Sequence, residues 1–207
     1  MKDDKKVWEA LLEAIGNKVG VAAIMGNLRA ESNLESTNVQ NSYEGRYGTD
    51  AQYTQRVDAG VYSREKFAHD SAGYGLAQWT HWSRKAALWD YLKAVRGGRS
   101  IGDLDGQIAF LLKELKGYKS VWDAVTTGTD LETVTGIVLR QYERPADQSD
   151  ANVRRRTAYA QHYLDEYGFD GAPADLDKLK EASADLDKLK EALAHLDEVR
   201  KILEGLC

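Results

Sequence analysis

The sequence predicts a mainly α fold: a helical domain with an irregular, aromatic-rich insertion, followed by a C-terminal leucine-repeat helix. Three observations carry this. Apolar residues recur at three- and four-residue spacing through most of residues 1–171, the signature of helices with one buried face. Between residues 33 and 62 the periodicity gives way to Asn, Ser, Gly, Tyr and Thr. From Ala172 the texture changes again, to a ten-residue repeat.

Taken in order, Val7, Trp8, Leu11, Leu12 and Ile15 define a helix over 5–15, which Gly16 stops. Asn17 is expected to cap a second, nearly all-apolar helix packed on most sides. Residues 33–62 read as loops with at most short elements, 63–71 as a brief helix and 73–79 as an extended or hairpin-like piece. Helices are then expected at 82–95, 103–116, 119–126, 130–143 and 150–167. Asp103, Asp130 and Asp150 are read as N-caps, and Gly97, Gly117 and Gly168 as stops. Trp82, Leu88, Trp89 and Leu92 are expected to enter the core. A domain over 1–171 and an appendage over 172–207, with Pro173 between them, follow from the change of texture.

In the appendage, ADLDKLKEA at Ala174–Ala182 recurs letter for letter at Ala184–Ala192, and a degenerate copy runs from Ala194 to Leu203. Leucines stand at 176, 179, 186, 189, 193 and 196, with Asp/Glu and Lys paired between them. Ten residues make slightly under three ideal turns, so the apolar stripe drifts round the helix. The pattern fits a coiled-coil or bundle element for self-association through 172–207. It fits equally an amphipathic linker helix packing on its own domain, or an engineered tail.

Composition bounds the function. A net charge of −5 argues against binding nucleic acid or anionic membranes through a basic field. No early stretch joins basic residues to a long apolar run, so neither a signal peptide nor membrane insertion is expected. The single cysteine, Cys207, forms no intramolecular disulfide, and synthesis in a reducing cytoplasm is the expectation. His69, His81 and His162 lack ligand-like spacing with carboxylates, so no metal and no cofactor is expected.

The residue that points to chemistry is Glu31. It ends the apolar helix seven residues after Ile24 and three after Leu28, on the apolar face. Burial there and the negative end of the helix dipole would both favour the protonated acid. Glycosidic bond cleavage requires such a general acid. Downstream lies Gly73-Tyr74-Gly75-Leu76-Ala77-Gln78-Trp79. Its glycines permit close approach of a ligand, Gln78 offers an amide to an N-acetyl group or sugar hydroxyl, and Tyr74 and Trp79 offer flat faces to sugar rings. A tight turn around a core tryptophan is the competing reading of that segment.

Glu31-Ser32 at a helix end, followed some forty residues later by Gly75-Leu76-Ala77-Gln78, resembles lysozyme-like peptidoglycan-cleaving domains of the phage tail lysozyme type. Ile24-Met25-Gly26-Asn27-Leu28, Asn38-Val39-Gln40-Asn41-Ser42-Tyr43-Glu44, Trp79-Thr80-His81-Trp82-Ser83-Arg84-Lys85 and Tyr142-Glu143-Arg144-Pro145 add to the likeness, as does the Arg-rich last helix. The likeness spans about residues 7–168 and excludes the repeat. It implies an α+β lysozyme-like fold, a peptidoglycan substrate cut in muramidase fashion, and Glu31 as the catalytic acid. No wall-binding module is recognisable. Without a signal, such a lysin reaches the wall through a membrane pore or in a virion.

Hydrolysis also needs a group that activates water or stabilises the oxocarbenium-like transition state. Among Glu44, Asp50, Asp58 and Asp70, the sequence favours Glu44, which follows Tyr43 in the family-like stretch; a solvated loop carboxylate is the alternative. Tyr142 is expected to wall the cleft by analogy with related families, and Glu143 to form a structural ion pair with Arg144 ahead of Pro145. Arg154-Arg155-Arg156 on one helix point three ways, which predicts a solvated face with one buried pair. Two other readings stay open. One is a lytic transglycosylase, in which the substrate's 6-hydroxyl replaces water. The other is a non-catalytic glycan-binding or tail-assembly protein of lysozyme-like shape.

Overall fold

Ten of the fifteen residues of helix α2 (Lys18–Ser32) are buried, so the other helices pack around it on nearly every side. The computed structural model describes residues 2–95 and 98–168 and, within the repeat, 183, 185–186, 188–190 and 192–193. Asn17 caps α2 as the sequence predicts: its side chain accepts from Val19 N at 3.2 Å. Its amide nitrogen also donates to the carbonyls of Val125 and Gly128. One side chain thus follows the end of α1 (Lys2–Ile15), starts α2 and ties it to the end of α8 (Lys119–Thr127).

Two glycines let neighbours close on α2. A Cβ on Gly20 would lie 1.8 Å from the Val125 carbonyl oxygen, and one on Gly26 2.5 Å from that of Arg156. Hydrogen appears where any larger group would push α8 or α10 (Asp150–Tyr167) away. Asn27, fully buried, spends its amide nitrogen on the carbonyls of Ala23 and Thr135. That joins α2 to α9 (Leu131–Ile137) and satisfies a polar group that would otherwise be costly to bury.

The insertion holds more helix than its periodicity suggests. A 3₁₀ turn (Asn41–Tyr43), α3 (Glu44–Tyr47), α4 (Asp50–Asp58) and α5 (Arg64–His69) fill it. The overlooked signal is local: Thr49 and Gln52 form a reciprocal capping box that starts α4. An aromatic cluster of Tyr53, Phe67 and Tyr74 holds these short helices together. Beneath it Lys85, fully buried on α6 (Trp82–Asp90), is ion-paired to Asp70 and donates to the Ala72 carbonyl. Burial pushes the Lys85 ammonium below its ordinary range, and Asp70 opposes that.

Residues 73–79 are hairpin-like, with isolated bridges of Tyr74 to Val39 and to Trp79. Among the described residues there is no longer strand, so the mainly helical expectation stands and the β part reduces to these bridges. The expected helices over 82–95 and 130–143 each split, with π segments at Tyr91–Val95 and Val138–Glu143. Asp103 and Asp130 cap α7 (Leu104–Gly117) and α9, but Ser149 rather than Asp150 caps α10. Gly97 lies outside the described residues.

Leu88 and Leu92 enter the core, whereas Trp82 is 54% exposed and corrects the expectation of a buried ring. The chain forms two units, Met1–Gly168 and Phe169–Cys207. The described residues of the second are helical, and most of the repeat lies outside them. No described helix is long and apolar enough to cross a membrane.

The crossing at Gly26 makes a stability prediction. Gly26→Ala should cost about 1–3 kcal/mol in urea denaturation, the usual range for overpacking a tight contact. Gly117→Ala, with nothing within 4 Å of its Cβ, should be neutral or stabilising by up to ~1 kcal/mol. Equal effects at the two sites would show that α10 yields freely.

Candidate active site

Glu31 sits one residue before the end of α2, where Asn33 leaves the helix in the left-handed region with φ of 55° and donates its backbone N–H to the Arg29 carbonyl. Buried Ser32 explains why the next residue is small and polar. Its hydroxyl donates to the Leu28 carbonyl and, at 2.8 Å, to the Leu76 carbonyl. The acid's helix is thereby fastened to the Gly75-Leu76-Ala77-Gln78 turn. Gln107 holds that turn from the other side, accepting from Leu76 N and donating to the carbonyls of Ser36 and Ile101. A Cβ on Gly75 would lie 2.5 Å from the Gln107 side-chain oxygen, and its φ of 73° also calls for glycine.

Glu31 faces a guanidinium on one side and a cleft on the other. Nη2 of buried Arg156 lies 2.7 Å from Glu31 Oε1. The approach is off the line of a hydrogen bond, and Oε1 has no other hydrogen-bond partner among the described residues. Arg156 is the buried member expected of the arginine triplet; Asn27 and Asn152 supply acceptors to its other nitrogens. The surroundings of Glu31 are therefore charged on the inner side, not apolar as its helical face suggests. The outer side opens on a cleft of about 870 Å³ lined also by Gln78, His81, Arg84, Tyr142 and Glu143.

Glu143, which the sequence assigns to the scaffold, also lines this cleft. It closes the π segment, and Arg144 follows in the left-handed region with φ of 51°. Arg144 donates its Nε to the Gln141 carbonyl, so the expected Glu143–Arg144 pair gives way to a backbone cap. Burial, and after it the neighbouring Glu31 carboxylate, push the Glu143 carboxyl well above the ordinary range. Its signal was in the sequence: Glu143 stands four residues after Leu139 and five after Val138, both buried.

Arg84 and Tyr142 in the lining are organised by Glu114 on α7. Its carboxylate accepts from Trp79 Nε1 and the Tyr142 hydroxyl, each at 2.7 Å, and from two nitrogens of Arg84. Arg84 in turn lies over the Tyr142 ring, 4.7 Å from its centroid. Tyr142 lines the cleft as expected, with its hydroxyl engaged in the wall.

The remaining candidates separate. Gln78 lines the cleft, but its amide nitrogen is shared among the carbonyls of Asn38 and Gly75 and the Asn38 side chain, so it braces the loop. Tyr74 and Trp79 are fully buried, and the Tyr74 hydroxyl is bonded to Thr54. They are core residues, which corrects their reading as sugar platforms. Glu44 opens α3, and its side chain lies outside the described residues.

The Glu143 carboxyl makes a pH prediction. A carboxyl raised in the folded state stabilises the fold below the unfolded value near 4.5, and that contribution is lost as pH rises through the folded value. Glu143→Gln keeps a neutral side chain, so its stability relative to the parent should grow from about pH 4.5 towards neutrality in thermal melts. A difference independent of pH would contradict the placement of this carboxyl.

Compared with known proteins, residues 2–167 match the family described as phage tail lysozyme. No curated protein and no solved structure matches the chain.

Proposed function

We propose a function from one premise: the chain belongs to the phage tail lysozyme family. Membership supports a lysozyme-like enzyme of phage type acting on peptidoglycan. The finer reading is a glycosidase of muramidase type that works through the Glu31–Glu143 pair. The observation that carries it is the opening of both carboxyls onto one cleft, where burial and the Glu31 carboxylate raise the Glu143 carboxyl well above its ordinary range.

In this reading Glu143 supplies the proton of the pair, and Glu31, steadied from behind by Arg156, delivers it to the glycosidic oxygen as the bond to the anomeric carbon breaks. Two carboxylates then face the positive charge that develops on the sugar, and their mutual repulsion makes them a strong acceptor. The attacking water forms the new bond to carbon and returns its proton to the pair. The assisting role that the sequence favoured for Glu44 passes to Glu143, with Glu44 as its alternative. Tyr142, Arg84 and Gln78 shape the walls that receive the N-acetylated sugars. A pore or a virion would carry the enzyme to the wall.

Glu31→Gln and Glu143→Gln should each slow release of soluble glycan from purified peptidoglycan by roughly 10²–10⁴-fold with the fold intact. Glu44→Gln should stay within about tenfold of the parent, well short of the loss of a catalytic acid. Collapse of Glu44→Gln alongside Glu31→Gln would return the assisting role to Glu44. Full activity of Glu31→Gln would sink the catalytic reading and leave a glycan-binding or tail-assembly module.

The repeat supports a separate proposal, self-association. Leu186, Leu189 and Leu193 are exposed at helical spacing on one stripe. Sedimentation of the full chain should find an oligomer, and a monomer at all concentrations would remove the idea.

A further inference from the structure

Four of the five tryptophans, Trp8, Trp79, Trp89 and Trp122, lie in or against the core, and Trp82 is the exception. Single exposed apolar residues are common and by themselves mean little. Trp82 differs in being held. The His69 ring stacks on it at 5.6 Å with planes 13° apart, and the His81 ring lies 5.8 Å away, tilted by 37°. His69 comes from the end of α5 and Trp82 from the start of α6, so two elements fix the ring while more than half of its surface stays open. The buried Asp70–Lys85 ion pair lies one residue beyond His69 and three beyond Trp82, and locks these two helices together.

The platform adjoins the cleft through His81, whose ring borders Trp82 and lines the cavity. His81, Ser83 and Arg84, immediately around Trp82 in the chain, all line the cavity that contains Glu31 and Glu143. We propose that Trp82, backed by His69 and His81, forms an outlying subsite that stacks on the apolar face of one sugar ring of the glycan strand, beyond the rings held in the cleft. This rests on the peptidoglycan-cleaving reading and deepens it: the enzyme prefers long strands to short fragments. A pre-fixed aromatic plane gains affinity because little rotamer freedom is lost on binding. The His81 imidazole lies beside the plane and also lines the cleft.

The test compares kcat/KM on length-fractionated, peptide-free glycan strands with that on a tetrasaccharide of the same sugars. The full chain should favour the long strands. Trp82→Ala should cut that preference about tenfold, equivalent to about 1.4 kcal/mol, mainly through KM. Trp82→Phe should restore most of it, and His69→Ala should lose part. Since the ring is exposed, melting temperatures should change little, and circular dichroism checks the fold. An unchanged preference in Trp82→Ala, with both substrates still cleaved, overturns the subsite and leaves the catalytic reading standing. Failure of the parent chain to cleave either substrate overturns both.

Discussion

The buried approach of Arg156 to Glu31 is the constraint on which the rest of the structure depends. A guanidinium can reach the end of α2 only because Gly26 lets the α10 backbone close on it, and because Asn27 and Asn152 accept its other donors. Arg156 is buried while Glu31 still opens on the cleft, so the guanidinium depends on this carboxylate to offset its burial. The pair therefore fixes the seam between α2 and α10 as well as the acid. That explains why a helix devoted to the core ends in a charged residue.

The lining at Arg84 and Tyr142 obeys the same logic through a single acceptor. Glu114 receives donors from Trp79, Tyr142 and Arg84, drawn from the hairpin-like segment, the π segment and α6. A carboxylate with its lone pairs filled by fixed donors makes a rigid node. Because Glu143 is the residue after Tyr142, the node also sets where the second cleft carboxyl stands. Ser32 and Gln107 complete the frame by gripping the Leu76 backbone from opposite sides. The cleft is thus built from side-chain hydrogen bonds, to other side chains and to backbone, which suits a binding surface supported by short elements rather than a broad sheet.

Much of the scaffold was legible because its signals are local. The Asn17, Asp103 and Asp130 caps and the apolar register of α2 all read directly from spacing. So did the position of Glu31 and the presence of one buried arginine in the triplet. Which arginine it is depends on a helix crossing set by Gly26, a long-range fact with no local signature. Tyr74 and Trp79 were misread because an aromatic flanked by glycines looks the same whether the glycines admit a ligand or a neighbouring chain segment. Here Gly73 and Gly75 admit the side chains of Gln78 and Gln107. Glu143 was hidden by its neighbours: Arg144 and Pro145 suggest an ion pair at a helix end, and spacing to Leu139 was the stronger clue.

Mass spectrometry of the products from purified peptidoglycan separates water-dependent cleavage by a carboxyl pair from its rivals. Soluble fragments with new reducing ends are expected, one atom of ¹⁸O entering each when digestion runs in labelled water. Anhydromuramyl ends without label would contradict it, because the substrate's own 6-hydroxyl would then have taken the place of water.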